Sequence, residues 1–109
     1  MNPNLYKGSM ETILINLLSK HKEMYGYQMT KIVKELTRGQ IEIKEGSLYP
    51  LLHKMEAKGL IESITKNIGN RDRKYYHLSK KGKEEKNTML KEMEEYLAIM
   101  NNLLQPKTN

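Results

Sequence analysis

Glu45-Gly46-Ser47-Leu48-Tyr49-Pro50-Leu51-Leu52-His53-Lys54-Met55-Glu56-Ala57-Lys58-Gly59-Leu60-Ile61 is followed, after a short polar link, by Arg71-Asp72-Arg73-Lys74-Tyr75-Tyr76-His77-Leu78. Leu48, Leu51, Leu52 and Met55 recur at i, i+3, i+4 and i+7, one face of a helix, and Gly59 supplies its stop. Pro50 has no N–H and fits without penalty only in a first turn, so the helix is expected to begin around Gly46–Ser47. Leu60–Lys66 and Arg73–Leu78 carry β-prone Ile61, Ile64, Tyr75 and Tyr76, and Asn67-Ile68-Gly69-Asn70 between them is turn chemistry. The stretch therefore reads as an amphipathic helix followed at once by a hairpin with a basic tip. Such a helix fits a DNA groove while the hairpin touches the flanking backbone, a way to hold double-stranded DNA.

A hairpin is marginal alone in water and needs helices behind it. Upstream, Met10, Ile13, Leu14, Leu17 and Leu18 form one helical stripe, with Ser9 a candidate N-cap and Glu11 in the first turn. A second stripe, Met29, Ile32, Val33 and Leu36, is entered through Gly26 and closed by Arg38-Gly39. Gly26 also permits a tight turn at Met24-Tyr25-Gly26-Tyr27, and Ile41-Glu42-Ile43 alternates as a single-bridge strand would. The fold class is thus mainly α with a small β-hairpin: a winged helix-turn-helix plus a long C-terminal helix.

That last helix is capped by Ser79 and runs to about Leu104, ahead of Pro106. Met89, Met93, Tyr96, Met100 and Leu103 alternate by four and three, and Leu90, Leu97 and Leu104 add a row at every seventh position. An apolar seam projecting beyond a small domain is most economically buried against a second copy, so these eight residues are the expected dimerisation surface. The expected division is a winged helix-turn-helix DNA-binding domain over residues 1–82 and a dimerisation helix with a short tail over 83–109.

Charge divides the chain in the same way. Residues 1–82 hold 15 Lys and Arg against 8 Asp and Glu, whereas residues 83–109 hold 4 against 5. Between positions 66 and 83 seven cations face only Asp72. A net charge of +6 favours a polyanionic partner, and its concentration at the hairpin points there. With the apolar stripe of the third helix turned inward, Ser47, Tyr49 and His53 are expected nearest the bases, and Lys54 and Lys58 on phosphates. Arg71, Arg73 and Lys74 would follow the backbone from the hairpin. Tyr49 packed on the hairpin and His53 as a plain surface histidine are the alternatives from burial alone.

The chain has no cysteine and no apolar leader or span, so a cytoplasmic protein outside the membrane is expected. His21, His53 and His77 stand apart, without metal-ligand spacing, a glycine-rich phosphate loop or a nucleophile–base set. No enzyme, cofactor or metal is expected. A winged-helix protein-interaction module pairing through its C-terminal helix is the rival reading, separable by its weak salt dependence.

Tyr6-Lys7-Gly8-Ser9, Met24-Tyr25-Gly26-Tyr27, Glu45-Gly46-Ser47-Leu48-Tyr49-Pro50-Leu51-Leu52, Gly59-Leu60-Ile61 and Arg73-Lys74-Tyr75-Tyr76-His77-Leu78-Ser79-Lys80-Lys81-Gly82 closely resemble, in order, the PadR family of bacterial winged-helix transcriptional regulators. The single terminal helix is similar to the shorter subfamily. The resemblance implies a homodimeric repressor on a pseudo-palindromic operator, with DNA contacts on Ser47, Tyr49, His53, Lys54, Arg71, Arg73 and Lys74. It also implies a small hydrophobic or planar aromatic effector, for which Met89, Met93 and Tyr96 are the candidate pocket, although the same spacing describes ordinary packing. Asn70-Arg71-Asp72 departs from the family's more usual Gly-Arg-Pro wing.

Overall fold

The computed structural model describes residues 1–105. Pro106, the expected helix stop, lies outside them. The elements are α1 (Pro3–Tyr6), a 3-10 turn (Lys7–Ser9), α2 (Met10–Lys20), β1 (Met24–Tyr25), α3 (Gly26–Leu36), α4 (Glu45–Ala57), β2 (Ile61–Ile68), β3 (Arg71–Leu78) and α5 (Lys80–Leu104). This is a winged helix-turn-helix with a long C-terminal helix. The three inner helices sit where their stripes place them, because each stripe buries a side chain on the same core: Leu14 of α2, Met29 of α3, Leu48 and Leu52 of α4. Leu48 has no exposed surface, so truncating it to Ala would cost about 2–5 kcal/mol. Ile15, outside the expected stripe, is also fully buried, since α2 is covered on a second side by α5. Leu36, expected inside, is exposed at the last position of α3.

Three local expectations are corrected. Ser9 stands at the start of α2 but does not cap it, because the 3-10 turn runs straight into the helix and Met10 N–H already donates to Lys7. Ile41–Ile43 is a loop. Ile43 is buried, and Ile41 N–H donates to Thr37 Oγ1 at 3.1 Å instead of to a strand. The third strand is Met24–Tyr25, which pairs antiparallel with Tyr76 and Tyr75 of β3 in the order β1-β3-β2.

The hairpin is longer than expected, Ile61 pairing with Leu78 and Ile68 with Arg71. The turn narrows to Gly69 and Asn70, both left-handed at φ 58° and 64°. Two consecutive positive φ values make the tight turn whose twist matches a hairpin, which is why Gly and Asn stand there. Tyr76 and Leu78 face the core and Tyr75 the opposite side.

A compact joint ties α5 to the end of α4. Ser79 Oγ accepts from Gly82 N–H at 3.0 Å, capping α5, and donates to the Gly59 carbonyl at 2.5 Å. Ser79 N–H donates to Leu60 O at 3.1 Å, and Lys81 Nζ to Lys58 O at 2.8 Å. Gly82 lies so close to Leu60 that a Cβ there would stand 2.1 Å from its carbonyl oxygen.

Beyond the joint, α5 has two halves. The first leans on α2: Met89 packs on the core, and Ser9 Oγ donates to Met93 Sδ at 3.7 Å. The second carries Tyr96, Leu97, Ile99, Leu103 and Leu104 in the open. The expected seam is therefore divided. Met89 and Met93 serve the helix's own domain, while Leu97 and its C-terminal neighbours have no intrachain cover.

Candidate nucleic-acid interface

The helix α4 begins at Glu45, so Pro50 falls in its second turn and not its first. Its missing N–H leaves the Gly46 carbonyl without its i+4 donor. Both residues are exposed, so solvent or a ligand can satisfy that oxygen. Helical spacing puts Gly46, Pro50, His53 and Ala57 on the face opposite Leu48, Leu52 and Met55, and all four are exposed. Gly46 and Pro50 were read from sequence only as helix punctuation. On this face Gly46 leaves the helix backbone open, and the same periodicity that located the core flags both residues. Ser47 and Lys54 flank this face on one side and Tyr49 on the other.

Tyr49 is 39% exposed and reaches the start of α3, where only a glycine leaves room. A Cβ on Gly26 would meet the Tyr49 hydroxyl at 2.7 Å. Tyr49 is thus half packed and half presented, between the two readings its sequence allowed. It lines a cleft of ≈450 Å³ with Tyr25, Gly26 and Tyr27 from the start of α3 and Arg71–Lys74 from β3. One flank of α4, through Tyr49, and the hairpin meet there. Tyr27, not singled out from the sequence, is an exposed aromatic at this mouth.

Aromatic stacking sets the wing's cations. The Arg73 guanidinium lies 4.5 Å from the Tyr25 ring centroid. Tyr25 in turn meets Tyr75 edge-on at 5.4 Å and stacks with Tyr27 at 6.5 Å. Such a contact contributes about 0.5–1 kcal/mol at an exposed site and restricts a long side chain to one direction. Asp72 is held across the hairpin, accepting from Asn67 Nδ2 at 2.9 Å.

The expected cations separate into two groups. Lys58 does not stand free for a phosphate: its ammonium lies 3.1 Å from both carboxylate oxygens of Glu11 on α2. Lys74 pairs with Glu56 at 3.5 Å and sits 5.6 Å from the Tyr76 ring. Lys66 pairs with Glu23. Lys54, Arg71 and Arg73 have no carboxylate within ion-pair distance among the described residues. His53 is exposed with no polar partner among the described residues. Burial behind the hairpin pushes the Tyr76 phenol above its usual range, with the Glu56 carboxylate and Tyr49 adding to the effect.

Among the described residues no cluster of three or more His, Asp or Glu could hold a metal ion, and no helix is long and apolar enough to cross a membrane. The model of the family described as "Transcriptional regulator PadR-like family" matches residues 14–88. A PadR-like transcriptional regulator from Bacillus cereus is 31% identical, with a TM-score of 0.78 over 95% of this chain and 99% of that one. A PadR family transcription regulator from Clostridium difficile is 33% identical, with a TM-score of 0.74 over 92% and 99%. A transcriptional regulator from Clostridium thermocellum superposes with a TM-score of 0.85 at 25% identity over 94% and 99%.

Proposed function

The chain belongs to the PadR-like family of transcriptional regulators, which are DNA-binding proteins and not enzymes, and from that premise we propose that it works as a homodimer. The dimer represses by occupying a pseudo-palindromic operator, its two α4 helices entering successive major grooves about 34 Å apart. Residues 1–82 bind DNA and residues 83–109 join the subunits. The observation that carries this reading is the cleft where Tyr49 meets Arg71 and Arg73, two cations without carboxylate partners beside the exposed outer face of α4. His53, Ser47 and Tyr49 meet base edges, Lys54 and the two arginines meet phosphates, and Lys58 and Lys74 act mainly within the fold.

Pairing of the exposed second half of α5 with its copy covers Leu97, Leu103 and Leu104. A hydrophobic or planar aromatic effector held between the paired helices against Tyr96 would act on the spacing of the two α4 helices. The test is fluorescence anisotropy of the protein on its own promoter region across a salt series. Binding should weaken with a log–log slope near −0.9 for each phosphate contact. A salt-insensitive interaction, or equal affinity for random duplex, would refute sequence-specific DNA binding and favour a helix-pairing module.

A further inference from the structure

At the opposite end of the hairpin from its tip lies a second cleft, of ≈560 Å³, between the end of α2, the base of β2 and β3 and the first turns of α5. It shares no lining residue with the cleft at Tyr49. Of its apolar lining, Leu18 and Leu78 are buried in the core, while Ile64, on the sheet face opposite Leu78, is 50% exposed. Its rim is cationic. Lys20 ends α2 and Lys22 lies in the link after it, while Lys83 and Lys86 come from α5, where spacing by three puts both on one face.

Among the described residues none of these four lysines has a carboxylate within ion-pair distance. Glu23 is the one carboxylate on the lining, and it is bound to Lys66. Glu62, next to the rim, is bound to His77 at 3.2 Å. His21 Nδ1 donates to the Leu17 carbonyl at 2.9 Å, which leaves Nε2 as its acceptor nitrogen in the neutral ring. Four ammonium groups around one concavity, with the neighbouring carboxylates engaged elsewhere, focus a positive potential on it.

The chemistry narrows the ligand. A single carboxylate would use one lysine and leave the others opposed. A polyphosphate carries three or four charges, and lysine ammoniums bind phosphate as point charges. The exposed Ile64 side chain and a volume within the usual small-molecule range suit a flat body attached to that chain. We propose that this cleft binds a nucleoside di- or triphosphate, its phosphates on Lys20, Lys22, Lys83 and Lys86 and its base against Ile64.

Isothermal titration of the full chain with ATP, pyrophosphate and adenosine tests this. ATP should bind more tightly than pyrophosphate, and adenosine should not bind measurably. Lys83→Ala/Lys86→Ala should weaken ATP binding roughly tenfold or more, whereas Lys7→Ala/Lys91→Ala, with the same loss of charge elsewhere, should change it by less than about twofold. If the first double variant does not fold, Lys20→Ala/Lys22→Ala removes the opposite rim and carries the same expectation. Equal losses in cleft and control variants, or no ATP binding at about 1 mM, would overturn the proposal. So would rim variants that lose DNA affinity while keeping ATP, because the lysines would then be backbone contacts. DNA anisotropy on the same variants keeps this outcome distinct from failure of DNA binding itself.

Discussion

Replacing Gly82 by Ala isolates the joint between α5 and the end of α4. A Cβ at this position would stand 2.1 Å from Leu60 O and 3.3 Å from Leu78 Cδ2. The obstructing atom is backbone, so no side chain can swing away. α5 must retreat by roughly 1 Å to restore ordinary contact. Forced overpacking of this kind costs about 1–3 kcal/mol. The retreat also stretches the bonds from Ser79 to Gly59 and Leu60, each contributing about 1 kcal/mol. Alanine's better helix propensity returns only about 1 kcal/mol. The net expectation is a loss of about 2–3 kcal/mol, lowering Tm by about 10–20 °C for a domain of this size. Urea unfolding followed by circular dichroism, at one fixed protomer concentration, measures it. Gly46→Ala is the matched control, since nothing lies within 4 Å of its added Cβ, and it should be neutral or gain up to about 1 kcal/mol. A Gly82→Ala variant that unfolds at or above the wild-type urea midpoint would show that the joint is not rigid and that this reading of α5 is wrong.

Arg73→Ala should weaken binding to specific and random duplexes alike and make the salt slope shallower by about 0.9; a change confined to one sequence would assign Arg73 to base reading. Gly26→Ala displaces the end of Tyr49 and also crowds the buried Leu48 at 3.2 Å, so operator discrimination in anisotropy should fall together with a lower urea midpoint; unchanged discrimination would remove Tyr49 from base reading. Leu97→Glu places a charge on the uncovered half of α5 and should give monomers in sedimentation, while Met89→Leu, on the half packed against α2, should not. Tyr76 has a phenol pKa raised above its unfolded value of 10.0, so the unfolded chain ionises first. The stability contributed by the neutral phenol is complete below pH 10.0 and is lost as pH rises through the higher folded value. Tyr76→Phe should flatten that alkaline decline, and an equally steep decline in the variant would place its cause elsewhere.

The helices were legible because each has one apolar side and a repeat near 3.6 residues is written into adjacent positions. β1 was not, since two residues carry no period and its partners, Tyr75 and Tyr76, lie some fifty positions downstream. Ile41–Ile43 alternated like a strand because a loop crossing the core buries one isoleucine and half-covers another. The interface was half legible. Sequence identified the basic segment, but it could not distinguish Arg71 and Arg73 from Lys58 and Lys74. Their difference lies in Glu11 and Glu56, carboxylates that only the folded chain brings near. Tyr25 as the rest for Arg73 was invisible for the same reason.

The shortness of β1 has a consequence for heritable change. Only Tyr75 and Tyr76 of β3 have a paired strand on both sides, while the backbone of Arg71–Lys74 pairs with β2 alone. Substitutions near the base disturb the core and are removed by selection for folding. Substitutions at Ile68 and Arg71, outside the left-handed Gly69 and Asn70, disturb little besides the surface they present. A single hairpin therefore joins positions whose replacement costs folding stability to positions whose replacement costs little of it.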